Sequence, residues 1–173
     1  GEAFNFRASY ALVVTARKQG STVVYSAYEA SAKNQLVGST SFMAPSDAKW
    51  WAYAVSGEQV YVVTYDAMAQ KTQLHQWSPR GTMAPKALFS LEAATGQPTL
   101  GIFLDFGVDG DTLVFIESGR IWKGSLASGR ATWLRNQVQI DGGTQPDGSL
   151  RLSASASGTA SAEALRRIAE PGV

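Results

Sequence analysis

The chain has 173 residues, with 15 Lys and Arg against 14 Asp and Glu, so its formal net charge is +1 and only 17% of its residues are charged. That balance argues against both a basic nucleic-acid footprint and an acidic solvating tail. The absence of cysteine removes disulfide frameworks, thiolate nucleophiles and Cys-based metal centres, and a single histidine, His75, removes multi-His metal sites.

At roughly 100 to 200 residues per domain, the length fits one domain or a piece of one. No cofactor is expected. No apolar run approaches the roughly 18 to 20 residues of a membrane helix, so no transmembrane segment is expected either. The chain starts at Gly1, which leaves open whether a signal peptide preceded it. Zero cysteine and few charges fit an exported or envelope-associated bacterial protein.

In chain order, Tyr10 to Ala16 and Gly20 to Tyr28 read as a hairpin turning at Lys18-Gln19-Gly20, followed by strands at Gln35 to Gly38 and Thr40 to Met43. The second unit runs Trp51 to Ser56, Gly57 to Tyr65, Gln73 to Trp77 and Lys86 to Leu91. Between Pro79 and Leu100, three prolines and two glycines mark irregular chain. The third unit runs Ile102 to Gly107, Gly110 to Glu117, Arg120 to Gly124 and Ala131 to Leu134, and a last hairpin joins Val138 to Ile140 with Gly148 to Ala154. The turns at Ser56-Gly57, Asp109-Gly110 and Asp147-Gly148 supply the positive φ that tight hairpins require.

The leading glycines, Gly20, Gly57, Gly110 and Gly148, stand 37, 53 and 38 residues apart, and the long interval contains the irregular stretch. Four antiparallel strands recurring at roughly 40 residues is the pattern of a propeller blade. Over residues 6 to 155 the chain resembles bacterial β-propeller repeat proteins in general. It has no WD dipeptide with an upstream Gly-His and no kelch double glycine, so the resemblance names no subfamily. It implies an all-β fold of propeller-like four-stranded repeats, about three blades plus a hairpin, with a β-sandwich as the alternative.

Residues 1–157 are read as the repeat domain. Residues 158–173 are read as a linker and short helix, because the Ser/Ala-rich stretch at 153–161 leads into 162–170, where Leu165, Ile168 and Ala169 share one helical face ahead of Pro171. A helix that short needs a docking surface, on the repeat array or on a partner. Three blades and a hairpin leave at least one sheet face without a neighbour, which favours self-association or a protein partner.

Little in the sequence points to catalysis. His75 sits in a strand with no nucleophile elbow anywhere in the chain, so no catalytic residue is expected. Asp105, Asp109 and Asp111 crowd one hairpin and are weak Ca²⁺ candidates, without a full ligand loop. Trp50, Trp51, Trp77 and Trp122 are the ligand-binding candidates, because adjacent tryptophans such as Trp50 and Trp51 cannot both face inward on a strand. The basic residues form no stripe, so nucleic acid is not expected. The expected function is a non-catalytic protein-interaction scaffold. The alternatives are a glycan-binding propeller, or part of a propeller hydrolase whose active site lies elsewhere.

Overall fold

The computed structural model describes residues 4–32, 34–43, 52–98, 103–136, 143–144 and 150–151. The fold is all-β. β1 (Phe4–Ala8), β2 (Leu12–Gln19), β3 (Thr22–Glu29) and β4 (Leu36–Met43) form one four-stranded sheet. A second holds β5 (Ala52–Ser56), β6 (Gln59–Asp66), β7 (Lys71–Trp77) and β8 (Lys86–Ser90), and a third β9 (Phe103–Asp109), β10 (Thr112–Glu117), β11 (Arg120–Ser125) and β12 (Arg130–Asn136). Each sheet is an antiparallel meander with its strands in chain order. One short helix, α1 (Leu91–Thr95), follows β8, and β13 (Gly143–Thr144) pairs with β14 (Leu150–Arg151).

The hairpins predicted at Ser56-Gly57 and Asp109-Gly110 turn where expected. Gly57 and Gly110 adopt φ of 58° and 60°, a left-handed conformation that a Cβ would strain, and each closes the turn between the first and second strands of its sheet. The first unit is phased differently from the expectation. Leu36–Met43 form one strand rather than two, and the sheet is completed upstream by β1, so the turn at Gly20 joins second and third strands. Equivalent first strands therefore begin at Phe4, Ala52 and Phe103, 48 and 51 residues apart. The shorter interval measured from Gly20 compared turns that are not equivalent.

The second sheet lies between the other two. Tyr53, Val55, Val60, Val62 and Trp77 face the first sheet, where they meet Leu12, Val14, Ala16, Val23, Tyr25 and Ala27. Ala52, Ala54, Tyr61, Val63 and Leu74 face the third sheet, against Phe106, Val108, Leu113, Phe115 and Trp122. With both faces buried, β5 and the first half of β6 become apolar runs instead of alternating strands. β2 keeps the alternation, because the face that carries Val13 and Thr15 is only half-buried and belongs to neither core. At about 1.5–3 kcal/mol per fully buried large side chain, these two interfaces supply most of the fold's cohesion.

The innermost strands approach one another, β5 lying against both β1 and β9. At one end of the stack their turns are tied together. Ser9 Oγ donates to Gly57 O at 2.7 Å, and Gly110 N donates to Ser56 Oγ at 3.2 Å.

The irregular stretch expected between Pro79 and Leu100 contains α1. Ser90 Oγ accepts from Ala93 N at 3.1 Å at its start, and Gly96 closes it in the left-handed conformation. Leu91 and Ala94 drop into the core between the second and third sheets. Glu92 accepts from Thr72 N at 2.5 and 3.2 Å, which ties the helix to β7.

The strand at Val138 to Ile140, the turn at Asp147-Gly148, the pair Trp50 and Trp51, the linker at 153–161 and the helix at 162–170 lie outside the described residues. Among the described residues no helix is long and apolar enough to cross a membrane.

Candidate functional site

Where the innermost strands meet, the interior turns polar. Arg7 of β1 and Asp105 of β9, each 3% exposed, form an ion pair with Nη2 to Oδ1 at 3.5 Å. Asp105 Oδ1 also accepts from Phe106 N at 2.8 Å. The Arg7 guanidinium lies over the Tyr53 ring, 5.2 Å from its centroid, and Tyr53 packs edge-on against Tyr25 with centroids 5.2 Å apart. Three inner strands, one from each sheet, thus contribute to one buried cluster.

The cluster's titration follows from its burial. Desolvation raises the Tyr53 phenol far above its ordinary range, with the Arg7 charge pulling the other way. The Tyr25 phenol rises for the same reason, reinforced by Tyr53 and opposed by Arg7. Both phenols are therefore neutral hydrogen-bond formers at physiological pH. Tyr53 Oη is buried, and the Arg7 guanidinium beside it is the polar group that acts on it, by its charge and by hydrogen bonding. The ion pair and the two phenols that flank it hold the inner strands of the three sheets together in the interior.

His75 is placed by β7 on the face toward the first sheet. Its ring packs on Phe42 of β4 with centroids 4.9 Å apart, and Nε2 is 2.8 Å from Thr64 Oγ1. Burial lowers its pKa from 6.5. Its neighbours are an aromatic ring and a hydroxyl, so it serves packing between the two sheets.

The three aspartates of the β9–β10 hairpin do different work from one another. Asp105 is buried against Arg7, Asp109 is exposed at the end of β9, and Asp111 organises the turn before β12. The Asp111 carboxylate accepts from Ser125 Oγ at 2.5 Å and from Ala127 N at 2.8 Å, and these bonds hold its pKa below the ordinary value. Among the described residues no group of three His, Asp or Glu could hold a metal ion. The weak Ca²⁺ expectation finds no gathered ligands.

Trp77 and Trp122 are each 5% exposed and sit in the two cores, so neither presents a ring face to a ligand at the surface. Trp122 stacks on Phe115 at 6.2 Å and donates from Nε1 to Glu117 Oε1 at 2.9 Å. Glu117 is fully buried and also pairs with Arg120.

Among the described residues the exposed tryptophan is Trp133 on β12, 55% accessible and opposite Trp122, where the β11–β12 register shifts. Leu134 beside it is 39% accessible. Trp133 is not among the ligand-binding candidates read from the sequence, although the expected strand order puts Trp122 on a third strand and Trp133 on an outer one; that outer position is the signal that could have singled it out.

No protein-family model matches the chain, and no curated protein matches it.

Proposed function

We propose that this chain is a non-catalytic interaction module, a stack of propeller-type repeats in an exported or envelope-associated bacterial protein that holds a partner protein on its outer strands. The observation that carries this reading is the placement of exposed apolar side chains. Among the described residues, eight large hydrophobic side chains are exposed, and four of them, Leu36, Met43, Trp133 and Leu134, stand on the outer strands β4 and β12. Polar clusters that could have served chemistry are instead consumed in holding strands and turns together. A tryptophan exposed on the edge strand of a rigid sheet, with a leucine exposed on the opposite face of the same edge, offers apolar anchors to a partner that wraps the edge.

The test is a photo-crosslinking residue at position 133 in cells that make the protein. Capture of one defined protein, lost in Leu134→Asp, is the expected result. Failure to capture any protein overturns the reading. The exposed Trp133 ring also favours a glycan-binding alternative, since a flat indole can stack on a sugar. Binding on an oligosaccharide array, abolished by Trp133→Ala, would select that alternative.

A further inference from the structure

We propose that β4 pairs with the β4 of a second copy of this chain, antiparallel about a two-fold axis, joining two four-stranded sheets into one of eight. An edge strand leaves a row of backbone donors and acceptors unpaired in its sheet, and proteins usually blunt such edges with charge, proline or shortness. The three sheets differ in this respect. β8 has five residues, begins with Lys86 and runs directly into α1, while β12 carries Arg130 and Arg135. β4 has eight residues, Leu-Val-Gly-Ser-Thr-Ser-Phe-Met, without a charge or a proline.

About a two-fold axis residue i of one edge meets residue j of the other and j meets i, so an edge whose charges are all of one sign, as on β8 and β12, sets like charges along the same seam. Of the three outer strands, β4 alone is free of that repulsion, which is why a second copy suits it. Antiparallel pairing also brings the Leu36 end of one strand to the Met43 end of the other, covering two apolar side chains that are 55% and 72% exposed. Near the centre, Ser39 and Ser41 are exposed on one face, where Ser39 Oγ already meets Ser26 Oγ at 3.0 Å. Pairing extends that hydroxyl row across the new seam. The loop that approaches β4 at Gly38 does so over the sheet face, in the Cβ direction, and among the described residues no strand pairs with the outer edge of β4.

This inference goes beyond the partner reading by giving Leu36 and Met43 of β4 to a second copy and leaving Trp133 and Leu134 of β12 to the partner, so crosslinking at Trp133 and the state of the β4 edge fail separately. Sedimentation of the full chain is expected to show a dimer that dissociates on dilution. Ser39→Lys with Ser41→Lys should give a monomer that keeps the wild-type circular dichroism spectrum and a cooperative melt. Because the chain has no cysteine, single variants Ser39→Cys, Thr40→Cys and Ser41→Cys report position without background. At least one, at the axis, should form a disulfide-linked dimer under mild oxidation, while Ser31→Cys on an exposed turn should not. A wild type that stays monomeric at hundreds of micromolar overturns the proposal. So does a dimer that survives the two lysines, since its interface would lie elsewhere.

Discussion

The carbonyl oxygen of Pro79 lies 2.6 Å from the point where a Cβ on residue 38 would stand. This close approach seats the β7–β8 loop of the second sheet on β4 of the first. The next residue, Arg80, then reaches both sheets: Nη1 and Nη2 meet the two oxygens of Glu29 at 2.5 and 2.9 Å, and Nε meets Glu58 at 2.8 Å. Hydrogen bonding to Arg80 holds the Glu29 carboxyl below its ordinary pKa. A glycine in an ordinary strand conformation thus fixes the position of an ion pair 42 residues further on.

Gly38→Ala should therefore destabilise the fold by about 1–3 kcal/mol, because the obstructing atom is backbone and cannot rotate away. Gly57→Asn should cost only a few tenths, since open space surrounds that position and asparagine tolerates its positive φ. Urea denaturation of both variants checks the contrast. A Gly38→Ala protein of wild-type stability would mean that the loop lifts freely.

Arg7→Met or Asp105→Leu alone should cost about 3–5 kcal/mol, because each leaves a buried charge without its counterpart. Combined, the two substitutions should cost much less than their sum, as apolar side chains replace both ions. A double-mutant cycle by chemical denaturation measures this coupling. Additive losses would show that the pair contributes nothing as a pair.

Stability should fall as the pH drops below about 6.5, the range in which an unfolded histidine begins to protonate. His75 has a lowered pKa in the folded state, so the unfolded chain takes up the proton first. The histidine's contribution is complete above the unfolded pKa and is lost as pH falls toward the folded one. Melting temperatures at pH 7.5 and 5.5 should diverge less in His75→Gln than in the wild type. Equal divergence would assign the acid sensitivity to other groups.

The all-β class and most strands were legible because turn glycines and β-branched runs are local signals. The second and third sheets follow their expected strands closely. The first sheet was misread because Phe4-Asn5-Phe6-Arg7-Ala8 carries an asparagine and an arginine, which hide a strand whose arginine is buried for a tertiary reason. α1 was missed although Ser90 and Gly96 flank it, because five residues give no helical periodicity to detect. The polar cluster was beyond reach for another reason: Arg7 and Asp105 are 98 residues apart, and only the stacking of all three sheets brings them together. Likewise the burial of Trp77 and Trp122 and the exposure of Trp133 depend on strand position within a sheet, which composition does not encode.

In stacked-repeat proteins each unit touches only its neighbours, so stability behaves as a sum of unit and interface contributions and the ends can fray independently. The Arg7 to Asp105 pair breaks that scheme by joining the first unit directly to the third. Loss of the third sheet would take the Asp105 carboxylate away from Arg7 as well as the apolar face against the second sheet, so an array shortened by one repeat would forfeit more than one interface. Partial unfolding from the β12 side is penalised on the β1 side, and the melting of such a stack is expected to be a single concerted transition rather than a peeling of sheets in succession.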